Sequence, residues 1–203
     1  MVPVSGYHAA MLRSITNRFY RRKDPTRDWV AVPAATDVDL RRCTIGGAAM
    51  GGAFAALRGL GPSEDARHAA RGYPRWYSKG IFAVIENDRL TDLMLVFTGG
   101  EFVPFAGRFF LEGTPVKVSS DSTPESIVGL LGEPFGQSVK EEGCVILFYE
   151  YEEGEVQFAF DTQRQVLESI DFQYDPELSD RGACEYYGIE KTFPDNLRRS
   201  ITD

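Results

Sequence analysis

The two halves of this chain end in the same way, and that duplication narrows the folds open to it more than any bulk property does. Tyr77-Ser-Lys-Gly80 leads into Ile-Phe-Ala-Val-Ile-Glu, then Asn87-Asp-Arg, then Leu90-Thr-Asp-Leu-Met-Leu-Val-Phe97. Tyr151-Glu-Glu-Gly154 leads into Glu-Val-Gln-Phe-Ala-Phe, then Asp161 to Val166, then Leu167-Glu-Ser-Ile-Asp-Phe-Gln-Tyr174. Tyr77 and Gly80 match Tyr151 and Gly154. Leu90, Leu93, Leu95 and Phe97 match Leu167, Ile170, Phe172 and Tyr174 at a constant spacing of 77 residues. Upstream, Leu60-Gly61-Pro62 matches Leu131-Gly132-Glu133-Pro134, each after a short apolar helical pattern. The spacing between copies grows from 71 to 74 to 77 along the chain, which needs only small insertions in two loops, where insertions are tolerated. A period this long points to a pseudo-symmetric pair of units rather than to a solenoid array.

The second copy is written more clearly. Phe109 to Leu111 and Val116 to Val118 flank Glu112-Gly113-Thr114, a hairpin turn. Thr123-Pro124-Glu125 starts a helix: a capping hydroxyl, a proline at the first helical position and an acid at the positive end of the dipole. Ile127, Val128, Leu130 and Leu131 give that helix one apolar face, and Gly132 and Pro134 stop it. Three strands follow, over Cys144 to Tyr151, Val156 to Phe160 and Leu167 to Tyr174. Val156, Phe158 and Phe160 alternate with Gln157 and Ala159, which predicts a sheet with one covered and one open face. In the first copy Asp37 to Ile45 is the opening strand and Phe54 to Leu60 the helix, weakened by Gly51, Gly52 and Gly59. Its strands are Tyr73 to Tyr77, Ile81 to Glu86 and Leu90 to Phe97. The prediction is therefore an α+β chain. Residues 1–36 form a basic N-terminal helix (Ala9 to Tyr20) and linker, 37–100 the first unit, 101–180 the second, and 181–203 a tail with a short helix from Pro194.

Length allows this arrangement, since 203 residues suit one large domain or two small ones. The opening residues carry no apolar run of signal-peptide length, and no stretch approaches the ~18 apolar residues of a membrane span. Cys43, Cys144 and Cys184 are odd in number and widely spaced, which predicts free thiols and a cytoplasmic setting rather than a disulfide framework. The net charge of −8 is unevenly spread. From Asp121 to Glu190 seventeen acidic residues face three basic ones, while Met1 to Val30 holds six basic and two acidic residues. A field of that sign repels nucleic acid and favours basic partners.

Chemistry-bearing motifs are sparse. His8 and His68 are the only histidines, too few for a zinc site of usual spacing, and Cys43 with His68 lacks a local group to activate the thiol. Gly46-Gly47-Ala-Ala-Met-Gly51-Gly52 has neither the Lys-Ser/Thr of a P-loop nor the dinucleotide spacing, and reads as a loop before the first helix. Glu150, Glu152, Glu153 and Glu155 crowd a turn, and carboxylates there do acid–base work only if burial separates their pKa values. Neither a cofactor nor a metal is predicted, and no catalysis. What remains is surface. The open sheet face should carry Gln157, Ser169, Asp171 and Gln173, with Glu150, Tyr151 and Glu152 at its edge and Trp76 and Tyr77 at the comparable edge of the first copy. Aromatic and polar sheet surfaces of this kind serve as protein-binding platforms.

A strand and helix ending at Leu-Gly-x-Pro, followed by a three-stranded meander, resembles the repeat of beta-lactamase inhibitor protein and the small SmpA/OmlA-type outer-membrane assembly lipoproteins. The resemblance covers Asp37 to Tyr174 and rests on Leu60-Gly61-Pro62, Leu131-Gly132-Glu133-Pro134 and the paired Tyr-x-x-Gly turns. The chain departs from both families in having no lipoprotein cysteine and no disulfide pair within each repeat, so neither an envelope nor a secreted role follows. Its layout also resembles bacterial immunity proteins found beside polymorphic toxins. That resemblance implies a non-catalytic inhibitor that occludes a basic, toxin-like protein partner, without nucleic acid or membrane. The alternative is a small ligand bound in the cleft between the two copies.

Overall fold

The computed structural model describes residues 23–141, 143–174 and 189. Among them, twelve strands and a few short helices build an α+β fold that is mostly β, arranged as two sheets. The smaller sheet holds β1 (Val38–Asp39), β2 (Thr44–Ile45), β3 (Ala48–Ala49), β7 (Phe109–Leu111) and β8 (Thr114–Val116), in the order β3-β2-β1-β7-β8. The larger holds β4 (Arg75–Trp76), β5 (Ile81–Glu86), β6 (Arg89–Val96), β9 (Gly136–Glu141), β10 (Cys144–Tyr151), β11 (Gly154–Asp161) and β12 (Val166–Gln173), in the order β4-β5-β6-β12-β11-β10-β9. The expected N-terminal helix and C-terminal tail lie outside the described residues.

Helix α2 (Pro124–Leu131) forms as its sequence dictates. Thr123 is the N-cap, accepting from the Ser126 N–H at 3.3 Å while its own N–H donates to Ser126 Oγ at 2.9 Å. This reciprocal box satisfies two end donors that the helix itself cannot. The first-copy elements are shorter than predicted. The opening strand breaks after Asp39, whose carboxylate accepts from the backbone N–H groups of Arg42, Glu112 and Gly113. Cys43 then takes a left-handed conformation, φ 46°, before β2 begins. Gly46 and Gly47 make the turn between β2 and β3, not the loop before a helix. Phe54–Leu60 is a 3-10 helix, and its buried residues Phe54, Leu57 and Leu60 recur every third position, which matches three residues per turn. The other α-helix, α1 (Ala66–Ala69), is capped by Asp65.

One face of the seven-stranded sheet packs into a single core. Trp76, Ile81, Leu93, Leu95, Val156, Phe158, Phe160, Ile170 and Phe172 meet Leu57, Leu60 and Ile127 there. At roughly 1.5–3 kcal/mol per fully buried large apolar side chain, this face supplies the main driving force for folding. The opposite face corrects the expectation of an open platform. Phe148 and Glu155 are fully buried on it and Gln157 is 7 % exposed, while Phe82, Met94, Val96, Asp171 and Gln173 are half-buried. Alternation along a strand reports which residues share a face, not whether that face meets solvent. Ile189 lies against β9 beside Phe148, close enough that a Cβ on Gly136 would stand 2.9 Å from its side chain.

The two halves of the chain meet in both sheets. β1 pairs in parallel with β7, and β6 pairs antiparallel with β12 along five residue pairs centred on Met94 and Asp171. A hydrogen-bonded ladder therefore joins the two halves of the chain within the larger sheet. No helix among the described residues is long and apolar enough to cross a membrane.

Candidate functional site

The hairpin joining β10 to β11 is the most prominent exposed feature that the sequence singled out. Tyr151 and Gly154 are its last paired residues, and Glu152 and Glu153 make the turn. Gly154 sits at φ 149° with the Gln173 carbonyl so near that a Cβ would come within 2.4 Å of its oxygen, so only glycine fits. Glu150, Glu152 and Glu153 are exposed, and Glu133 and Glu112 are exposed on the neighbouring segments. Among them sits Tyr151, half-buried, next to Tyr149, whose hydroxyl donates to the Gly132 carbonyl at 3.0 Å. Burial pushes both phenols up to about 12, so both stay neutral at any physiological pH.

The hairpin lies over the turn from β1 to β2. Tyr151 lies within electrostatic reach of Cys43 and Arg41, and Cys43 within reach of Glu153. Arg41 pairs with Glu112 at 3.5 Å on the surface. Cys43 is 1 % exposed, and burial first, then Glu153 and Asp39, raises its thiol to about 12. It is a protonated structural thiol rather than a nucleophile.

The remaining sequence-predicted residues do not join this corner. Trp76 corrects the expectation of a surface anchor: it is fully buried, with its indole N–H donating to the Gly61 carbonyl at 2.9 Å. Tyr77 is half-buried, its ring tilted against Phe102 at 4.9 Å between centroids. Gln157 is likewise no surface residue; its amide donates to the buried Glu155 carboxylate at 2.7 Å. Asp171 accepts from Ser169 Oγ at 2.8 Å on the half-buried part of the second sheet face, and Gln173 lies at the end of the same strand. Of the expected surface set, only Glu150, Tyr151 and Glu152 stand together in an accessible place.

One polar cluster escaped sequence reading. Asp65 accepts from the N–H groups of Arg67 and His68 and pairs with His68 Nδ1 at 2.6 Å. The Tyr77 hydroxyl donates to the same carboxylate at 3.3 Å and accepts from Arg75 Nη1 at 3.2 Å. Burial alone would raise the Asp65 carboxyl, but the hydrogen bonds from His68 and Tyr77 outweigh it and hold the group below its usual value. The signal available in the sequence was Asp65-x-x-His68 at a helix start, which is also what a plain N-cap looks like. The serine hydroxyls on the adjoining segments are hydrogen-bonded. Ser63 Oγ is engaged with the backbone N–H and carbonyl of Arg75, and Ser78 Oγ with the Glu64 carboxylate. The cluster fastens α1 to β4, and the described residues include no group of three or more His, Cys, Asp or Glu side chains that could hold a metal.

The corner formed by β10, β11 and the β1–β2 turn thus presents exposed carboxylates around the half-buried phenol of Tyr151. Comparison with protein-family models, curated proteins and solved structures finds no match to this chain.

Proposed function

We propose that the chain is a non-catalytic protein-binding module made of two pseudo-symmetric units, and that it docks a basic protein partner at the acidic β10–β11 corner. In this reading it acts by occlusion, as an immunity-type inhibitor acts on a toxin, and works in the cytoplasm. The observation that carries it is the exposure of Glu150, Glu152 and Glu153 on one short hairpin, with Glu112 and Glu133 exposed on adjoining segments. Such a field speeds encounter with a basic surface, and the half-buried Tyr151 gives that surface something to pack on once it arrives.

The pairing of β6 with β12 supports the two-unit reading. Met94 faces Asp171, the residue 77 positions on, and the flanking pairs Leu93–Phe172 and Leu95–Ile170 exchange under the same spacing. That is the relation a two-fold axis through Met94 and Asp171 would give. Gly80 is crowded by the Val96 carbonyl and Gly154 by the Gln173 carbonyl, and Val96 and Gln173 are again 77 apart.

The test is affinity capture of the tagged chain from its native host, followed by mass spectrometry, beside a variant carrying Glu150→Gln, Glu152→Gln and Glu153→Gln. A stoichiometric basic protein captured by the parent and lost from the variant is the expected result. A partner retained equally by both, or an acidic one, would contradict the reading.

A further inference from the structure

Arg41 is a cation that the fold sets into the acidic corner. It sits in the turn from β1 to β2, and its Nε lies 3.5 Å from Oε1 of Glu112, in the turn from β7 to β8. What brings the two side chains together is Asp39. Its carboxylate accepts from the backbone N–H of Arg42 at 3.1 Å and from those of Glu112 and Gly113 at 3.3 and 2.9 Å. One carboxylate thus pins both turns, and the pair stands on a fixed backbone although its side chains are 56 % and 58 % exposed. The Arg41 charge also reaches the hairpin: burial is the main cause that raises the Tyr151 phenol, and Arg41 works against that rise. An exposed ion pair of this kind adds little to folding stability, so a competing cation displaces it at small cost.

We propose that Arg41 sets the charge specificity of the acidic corner: it holds Glu112 as an internal stand-in for the partner's cation, and a docking partner displaces it with an arginine of its own. This rests on the protein-binding reading and names the group that the partner presents. Arginine is the fitting replacement, because a guanidinium fork meets a carboxylate through two parallel bonds where a lysine offers a point charge. A lone cation gains nothing by the exchange, since it trades one exposed pair for another. A surface bearing several arginines does gain, because it meets the exposed Glu150, Glu152 and Glu153 in the same event.

The test uses the full chain and a fluorescent synthetic peptide of Arg-Gly repeats, titrated at low ionic strength and read by anisotropy. The variants are Arg41→Gln, Glu112→Gln and their combination, with Arg164→Gln as the control. Arg164 pairs with Asp161 at 3.4 Å, is 73 % exposed and stands at the opposite end of the eight-residue β11, so its loss changes the net charge equally but far from the hairpin. Arg41→Gln should bind the peptide about threefold more tightly than the parent, Arg164→Gln should leave binding unchanged, and the gain should vanish in combination with Glu112→Gln. An equal gain from Arg164→Gln, or a gain undiminished without Glu112, would reveal a general charge effect and overturn the inference while the acidic-corner reading stands. A Lys-Gly peptide bound as tightly as the Arg-Gly peptide would overturn the assignment of arginine. Binding that is absent from the parent, or untouched by Glu150→Gln, Glu152→Gln and Glu153→Gln together, would bring down both the inference and the reading beneath it.

Discussion

The same four-residue spelling, Tyr-x-x-Gly, occurs in both halves of the larger sheet and builds two different structures. At Tyr77 the chain leaves a two-residue strand, turns through a 3-10 helix over Tyr77–Lys79, and reaches Gly80 in the left-handed conformation. At Tyr151 an eight-residue strand ends in a tight hairpin, with Tyr151 and Gly154 directly paired. What the two share is the glycine, placed where a carbonyl of the adjoining chain comes too close for a Cβ. What differs is everything above it. The first tyrosine is tied to Asp65 and Arg75 and follows a fully buried Trp76, whereas the second stands among exposed carboxylates. A turn motif specifies a backbone approach, and the surface built on it depends on neighbours far away in sequence.

That contrast can be broken most forcefully at the aromatic residues. Trp76→Ala should cost about 3–5 kcal/mol from the lost core volume, while Tyr151→Ala at the half-buried site should cost only about 1–2 kcal/mol. Urea unfolding of the two variants measures the difference, and equal costs would show that the two sites are packed alike. The glycines sharpen what is shared. Gly80→Ala would press a methyl group within 2.9 Å of three backbone atoms, at Val103, Phe105 and Val96, and Gly154→Ala within 2.4 Å of one, at Gln173. Each should destabilise by about 2–4 kcal/mol, with Gly80 the worse, in the same denaturation assay.

A smaller effect separates the two sites by pH. Asp65 has its folded-state carboxyl held below the unfolded value, so its stabilising contribution is complete above the ordinary aspartate range and is lost as pH falls through the folded value. Asp65→Ala should cost about 1–2 kcal/mol near neutrality through loss of the helix cap, and should flatten the acid limb of the stability curve. An acid limb identical to that of the parent would remove Asp65 from the account.

Much of the fold was legible where local rules and tertiary packing agree. Thr123-Pro124-Glu125 marks the start of α2, and Glu112 and Gly113, both at positive φ, form the turn that their sequence announces. β10, β11 and β12 follow from alternation and apolar runs. β9 was not legible, because Gly-Gln-Ser-Val-Lys-Glu has little strand propensity of its own and is extended by pairing with β10. Trp76 was misplaced because its ring packs into the common core and its indole N–H finds the Gly61 carbonyl, fifteen residues upstream, contacts that no local pattern announces. Gln157 was assigned to the correct face and the wrong environment, since a two-residue period says nothing of what covers a face. At the candidate site the acidic turn was readable directly from Glu150, Glu152 and Glu153. Its neighbours Arg41, Cys43 and Glu112 come from the other sheet, and no spacing in the sequence announces that contact.

The central claim, that the acidic corner recruits a basic protein, is tested most directly by the association rate of the purified partner as a function of ionic strength. The parent chain should associate fast at low salt and slow steeply as salt rises, and the Glu150→Gln, Glu152→Gln, Glu153→Gln variant should associate about tenfold more slowly with a shallower salt dependence. An association rate and salt slope unchanged by the three substitutions would place the interface elsewhere on the molecule.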